Sequence, residues 1–231
     1  MIKKVIIIGA GLSGLNIAHK LKNLNYGSLL LLDKARGVGG RMATRRTLGT
    51  KFDHGAQFYR LKNDISKLHY DWKNRGVVQQ WFVSVKGDHW CSSNGMTAIA
   101  KLMAQDLDIF LEKEIRTIQY ENNVWKLIST KDEEWLCSNL IITSPLPQTI
   151  KLTEACANEK IVDLSILAEI KKITYTKALI GLVTLEESIS IGTDGYLEFQ
   201  EGHFFSISDQ NKKGVSDVPA LTITMSPMFS E

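Results

Sequence analysis

The chain has 231 residues, 44% of them hydrophobic and 23% charged, with a formal net charge of +3. That length supports one large domain or two small ones around a substantial core, and so small a charge gives no ground for a nucleic-acid or membrane partner. Three cysteines (Cys91, Cys137 and Cys156) without a CxxC pair suggest neither a disulfide framework nor a zinc site, and fit a reducing cytoplasm.

Lys3 and Lys4 ahead of Val5–Ala10 look like the start of a signal peptide. Gly9, Gly11, Ser13 and Gly14 break that run at once, and no stretch reaches the roughly 20 apolar residues that span a bilayer. The sequence reads as a soluble, cytoplasmic protein that is not exported. Val5-Ile6-Ile7-Ile8 is a β-branched run suited to a parallel strand buried on both faces. Leu15, Ala18, Leu21 and Leu24 then recur at helical spacing, and Leu29–Leu32 is a second buried strand ending at Asp33. Strand, helix and strand make a βαβ unit.

Residues 34 to 60 read as glycine-rich, basic and irregular. A short helix is expected over 64–74, then a hairpin of 80–85 with 89–91 around Lys86-Gly87-Asp88. Asn94-Gly95-Met96 opens another helix, with Met96, Ile99, Ala100, Met103 and Leu107 on one face. Strands are expected over 115–120, 124–129 and 134–137, with a further strand over 140–143 stopped by Pro145 and Pro147. Beyond these, 164–170 reads as helix, and 173–185, 196–208 and 220–225 as strands of a larger sheet.

Gly9-Ala10-Gly11-Leu12-Ser13-Gly14 is a GxGxxG that follows a strand and opens a helix. Gly9 permits the tight turn, Gly11 lets backbone approach a pyrophosphate, and Gly14 allows close packing of helix on strand. Phosphates then meet the free N–H groups at the positive helix end. Asp33, 19 residues after Gly14, is placed to accept hydrogen bonds from ribose hydroxyls and would repel a 2′-phosphate. That motif alone does not separate FAD from NAD. Between residues 34 and 51 stand six basic residues (Lys34, Arg36, Arg41, Arg45, Arg46 and Lys51) and no acid. Gly37, Gly39 and Gly40 let this segment lie close to a ligand, with Arg41 available for a charge-assisted hydrogen bond.

Arg36-Gly-Val-Gly-Gly-Arg41-Met-Ala-Thr44, followed by Phe52-Asp53-His-Gly55-Ala56-Gln57-Phe58, resembles the renalase-like branch of the flavin-containing amine oxidase superfamily. Gly95-Met96-Thr97, the segment from Glu114-Ile115 and Thr143-Ser-Pro-Leu-Pro-Gln148 extend the likeness, which is specific over 3–60, fair over 93–150 and thin afterwards. The resemblance implies an α/β fold: a Rossmann-type FAD-binding domain (1–60 and 93–150) and a second α+β substrate domain on a mixed or antiparallel sheet (61–92 and 151–231). It implies FAD held by Gly9, Gly11, Ser13, Gly14, Asp33, Lys34, Arg36, Gly39, Gly40, Arg41, Met42, Gln57, Phe58 and Ile115. Members of this superfamily normally continue further, with a Gly-Asp motif that does not occur here after Asp209, so the second domain is expected to be C-terminally incomplete.

No second GxGxxG is present for a separately bound nicotinamide cofactor. The expected scheme is therefore an oxidase: a small molecule, either a reduced nicotinamide-type compound or an amine, passes hydride to FAD, and dioxygen reoxidises it. A nucleotide-binding remnant without catalysis and an NAD-binding domain without flavin are the alternatives. The five histidines form no HxxH pattern, no GxSxG occurs, and no catalytic residue or metal ligand is assigned. Tyr59, Trp81, Phe82 and Trp90 read either as core or as a flat wall for a planar substrate. Nothing in the pattern specifies an oligomeric state.

Overall fold

The computed structural model describes residues 2–61, 66–156 and 163–231. In chain order the first half contains β1 (Lys3–Ile8), α1 (Leu12–Asn23), β2 (Leu29–Leu32), a 3-10 turn (Gly40–Met42), β3 (Thr44–Thr47), β4 (Thr50–Asp53), α2 (Ser66–Asn74), β5 (Gln79–Ser84), β6 (Gly87–Cys91) and α3 (Thr97–Ala104). The second half contains β7 (Ile109–Phe110), β8 (Ile115–Glu121), β9 (Val124–Ser129), β10 (Glu134–Ile142), α4 (Leu146–Ala155) and α5 (Leu164–Lys171). It closes with β11 (Ile180–Thr184), β12 (Tyr196–Glu198), β13 (Phe204–Asp209), β14 (Ala220–Met225) and α6 (Pro227–Ser230). The chain forms two compact units: 1–40 with 103–175, and 41–102 with 176–231.

The first unit is built on a six-stranded sheet ordered β7-β2-β1-β10-β9-β8. β7, β2, β1 and β10 run parallel, while β9 and β8 continue antiparallel as a meander. Val5, Ile6, Ile7, Leu30, Leu31 and Leu32 are all but inaccessible to solvent, as expected for central parallel strands covered on both faces. Ile6, Ile8, Leu30, Leu32, Ile118, Leu127 and Leu152 make one continuous core. Full burial of each such side chain contributes about 1.5–3 kcal/mol.

The second unit holds a four-stranded antiparallel sheet, β11-β14-β13-β12, and two hairpins, β3-β4 and β5-β6. This is a Rossmann-type α/β fold with a second α+β part, in agreement with the sequence reading. The structure also departs from that reading in particular places. Residues 134–142 form one strand rather than two, because its first half pairs antiparallel with β9 while 139–142 pair parallel with β1. The segment read as irregular contains the β3-β4 hairpin, turned by Leu48 and Gly49 at φ 52° and 72°. Pro145 and Pro147 do not merely end a strand: they sit in the N-terminal turn of α4, where a missing N–H costs nothing. The strand expected over 173–185 is confined to 180–184, and that over 196–208 is a hairpin, β12-β13. The helix expected over 64–74 is Ser66–Asn74, with 64–65 outside the described residues.

Candidate functional site

In the first unit three glycines stand where β1 ends and α1 begins, and each plays a different part. Gly9 adopts φ +109°, and a Cβ there would meet Thr143 Oγ1 at 2.5 Å. Thr143 Oγ1 in turn donates to the carbonyls of Ile8 and Gly9 at 3.0 and 3.2 Å, tying the end of β10 to the loop. A Cβ on Gly14 would overlap the Gly9 carbonyl oxygen, so helix and strand approach only because that position lacks a side chain. Gly11 is different. It caps α1 at φ −77°, and a Cβ there would meet nothing closer than Gly39 O at 4.0 Å. Its lack of a side chain leaves space rather than relieving an internal clash.

The second glycine segment closes on the first. Gly39 N donates to Ala10 O at 2.9 Å, and Gly11 and Gly39 form a parallel bridge. Gly39 and Gly40 have φ +119° and +54°, which suits glycine. No side chain caps α1, and its first turn has no acid, so the positive helix end faces a cradle of backbone alone. Asp33 stands beside it: one carboxylate oxygen accepts from Ala10 N at 2.6 Å, the other from Ala35 N at 2.8 Å. A carboxylate offers about four acceptor positions, so capacity remains for a ribose. Ser13, Lys34 and Arg36 are exposed, while Ile115 places its side chain in the core at the start of β8.

In the second unit Arg41 is exposed and makes no ion pair among the described residues, and Met42 is buried. The Gln57 amide is engaged within the unit. Its Nε2 donates to the carbonyls of Asp53 and Gly55 at 2.7 and 3.2 Å, and its Oε1 accepts from Gln210 Nε2 at 3.0 Å. Phe58 lies in an aromatic group with Trp81, Phe82, His89 and Tyr196, its ring centroid 4.4–6.3 Å from theirs. A second group joins Tyr59, His69, Trp72 and Trp90, with Tyr59 Oη 2.8 Å from His69 Nδ1. Phe82 and Trp90 are therefore mainly core, whereas Phe58, Trp81 and Tyr196 are only half-buried. Burial holds His54, His69 and His89 below the ordinary imidazole range and pushes the Cys91 thiol up to about 11. An inert Cys91 follows.

The sequence reading did not single out the polar centre of this unit. Asp53 and Lys213 are fully buried and paired at 2.8 Å, with Gln210 alongside. Nothing local in the sequence marks Lys213, since lysine is ordinarily exposed. Among the described residues no group of three or more acidic, histidine or cysteine side chains is placed to hold a metal, and no helix is long and apolar enough to cross a membrane.

Glycine turns, an uncapped helix end and an acid after the second strand are the elements of a Rossmann-type βαβ unit. Consistent with this, residues 7–71 match the family described as NAD(P)-binding Rossmann-like domain. Over 75 residues the chain is 36% identical to a phenazine N-monooxygenase of Lysobacter antibioticus, covering 32% of this chain and 14% of that protein. Over 135 residues it is 27% identical to a 1-hydroxycarotenoid 3,4-desaturase of Flavobacterium sp. (strain P99-3), covering 56% and 28% respectively. The aligned part thus spans less than a third of either curated relative. A redesigned putrescine oxidase superposes with a TM-score of 0.74 over 97% of this chain and 75% of that one, at 14% identity. The chain thus shares its Rossmann-type fold with that oxidase.

Proposed function

We propose that this chain is the FAD-binding part of an oxidoreductase of the renalase-like branch, with a small organic hydride donor and dioxygen as its partners. The observation that carries the reading is the union of two glycine segments in one backbone cradle, Gly11 against Gly39, with Asp33 beside it. A cradle that a Cβ on Gly11 would fill, at an uncapped helix end, fits a pyrophosphate. When bound, FAD supplies the hydride-accepting and oxygen-reducing chemistry.

The chain's own contribution is binding and orientation. The first turn of α1 (with Gly9, Gly11, Ser13 and Gly14) would take the pyrophosphate, and Asp33 the ribose hydroxyls. The backbone at Ile115 would meet the adenine, while Lys34, Arg36, Gly39 and Gly40 flank the phosphates. By the resemblance, Arg41 would add a planar cation, and Met42, Gln57 and Phe58 would serve the flavin. Phe58, Trp81 and Tyr196, their rings tilted 60–87° to one another, offer half-buried aromatic edges and faces for the donor, a dihydronicotinamide-type compound or an amine. No general base is assigned, because hydride departure from such a donor requires none. The relatives' activities differ from one another, so they support oxidoreductase chemistry without favouring one substrate.

The test is a visible spectrum of the purified chain with and without added FAD. A band near 450 nm that bleaches on anaerobic addition of a dihydronicotinamide is the expected result. A colourless protein that FAD never tints, yet that ADP stabilises thermally, would overturn the flavin reading. It would favour a nucleotide-binding chain without flavin, a reading that the Rossmann-like match over 7–71 also supports.

A further inference from the structure

The costliest feature of the second unit is the buried ion pair. Lys213 Nζ lies 2.8 Å from Asp53 Oδ2, and neither side chain reaches solvent. Two apolar side chains of similar volume would hold a core as well or better, because desolvating both charges offsets most of their attraction. The pair therefore calls for an explanation other than stability, and the surrounding hydrogen bonds supply one.

Asp53 Oδ1 accepts from Thr44 Oγ1 at 2.6 Å and from Met96 N, just ahead of α3, at 2.9 Å. The Asp53 backbone N–H donates to Gln210 Oε1 at 3.1 Å, and its carbonyl accepts from Gln57 Nε2 and Thr222 Oγ1 at 2.7 and 2.9 Å. Lys213 Nζ also reaches Gln57 Oε1 at 3.4 Å and stands 5.1 Å from the centre of the Trp81 ring. Six segments of the unit thus meet at one carboxylate and one ammonium. Thr44 and Thr97 exchange bonds at 2.6 and 3.1 Å, and Thr97 Oγ1 donates to the Met42 carbonyl at 3.2 Å. The Arg41 carbonyl accepts from Ala56 N at 2.9 Å, with Gly55 packed so close that a Cβ there would overlap it. The backbone of Arg41 and Met42 is consequently pinned by groups that Asp53 anchors, while the Arg41 guanidinium projects freely.

We propose that the Lys213–Asp53 pair is a positioning device: it fixes the backbone that carries Arg41 and the Gly55–Phe58 turn, the residues proposed above to serve the flavin, without acting on the cofactor itself. This rests on the FAD reading above. Directional bonds from a carboxylate can set a backbone in a way that an apolar filler cannot. Lys213 holds that carboxylate in place, and also reaches Gln57 and Trp81.

The test compares the full chain with Lys213→Met and with the uncharged double variant Asp53→Asn/Lys213→Met. ADP affinity is measured by calorimetry, FAD affinity by fluorescence quenching, and exchange at the Ala56, Met96 and Thr97 amides by NMR. In Lys213→Met we expect FAD affinity to fall by about tenfold or more, with a shifted flavin band. ADP affinity, governed by the glycine cradle, stays unchanged, and those three amides exchange faster while β13 and β14 stay protected. If Lys213→Met does not fold, the double variant supplies the same comparison. A folded variant with the parent FAD affinity and protected amides reduces the pair to filling space and overturns the proposal. If the parent chain binds no FAD, the functional reading fails by itself, and the amide exchange still decides whether the pair sets this backbone.

Discussion

The two units bury polar groups in opposite ways. Among the described residues, Ser129 is the one buried polar side chain of the first unit. The second buries Asp53, Gln57, His69, His89, Ser206, Ser208, Asp209, Gln210, Lys213 and Thr222, among others. The first unit makes its site from backbone: glycine turns and a helix end laid over an aliphatic sheet. The second makes its interior from side chains drawn together from distant parts of the chain. A backbone site tolerates an apolar core beneath it, because its donors are the N–H groups that the helix leaves free. A side-chain network is rigid only if every partner is present, and each partner it loses leaves another group buried and unsatisfied.

The largest effect that would sharpen this contrast is on the ion pair. Lys213→Met is expected to cost about 3–5 kcal/mol by denaturant unfolding, because it strands a buried carboxylate. A loss below about 1 kcal/mol would mean that Asp53 finds other compensation and that the second unit is less tightly coupled than described. Glycines provide the next test. Gly14→Ala should destabilise the first unit by about 3 kcal/mol, since its Cβ has no room beneath Gly9. Gly11→Val, whose side chain enters open space at an ordinary φ, should fold normally and fail to bind ADP by calorimetry. Equal loss of stability in both variants would dissolve the distinction between a packing glycine and a ligand glycine.

Arg41→Ala should weaken FAD binding by about 1.5–3 kcal/mol, the usual worth of a hydrogen bond to a charged group, and leave stability nearly unchanged because the side chain is exposed. Unaltered FAD affinity would remove Arg41 from the site. The smallest effect expected is one of pH. His54, His69 and His89 all belong to the second unit, and burial lowers the pKa of each. The unfolded chain then binds protons that the folded unit resists. Stability is thus fully present above the unfolded value of about 6.5 and is lost as pH falls below it. Urea melts at pH 8 and pH 5.5 should show the second unit weakening first, and His89→Gln should lessen that slope. Identical midpoints at both pH values would show that these imidazoles are not held neutral.

Local signals made much of the first unit legible. Val5–Ile8 and Leu29–Leu32 read as doubly covered strands because parallel strands are apolar on both faces, and they are. The glycines carried their own spacing. Where the sequence misled, a residue had two physical meanings. Proline stops a strand and also opens a helix, so α4 was hidden behind Pro145 and Pro147. Thr44-Arg-Arg-Thr47 has no apolar alternation, and only its closing turn and its partner strand make it a hairpin. The register that fuses 134–142 into one strand needs β1 on one side and β9 on the other.

By itself, then, the sequence determined the glycine cradle: glycine spacing, strand pattern and Asp33 all lie within a short stretch, where chain connectivity brings them together. Only the tertiary structure decided that Asp53 and Lys213 share a buried centre, that Gln57 spends its amide on that centre, and that Phe82 and Trp90 are core while Phe58 and Trp81 keep an exposed edge. The physical reason is sequence separation. Backbone geometry follows from a residue and its neighbours, whereas the burial of a charge depends on what comes against it from 160 positions along the chain.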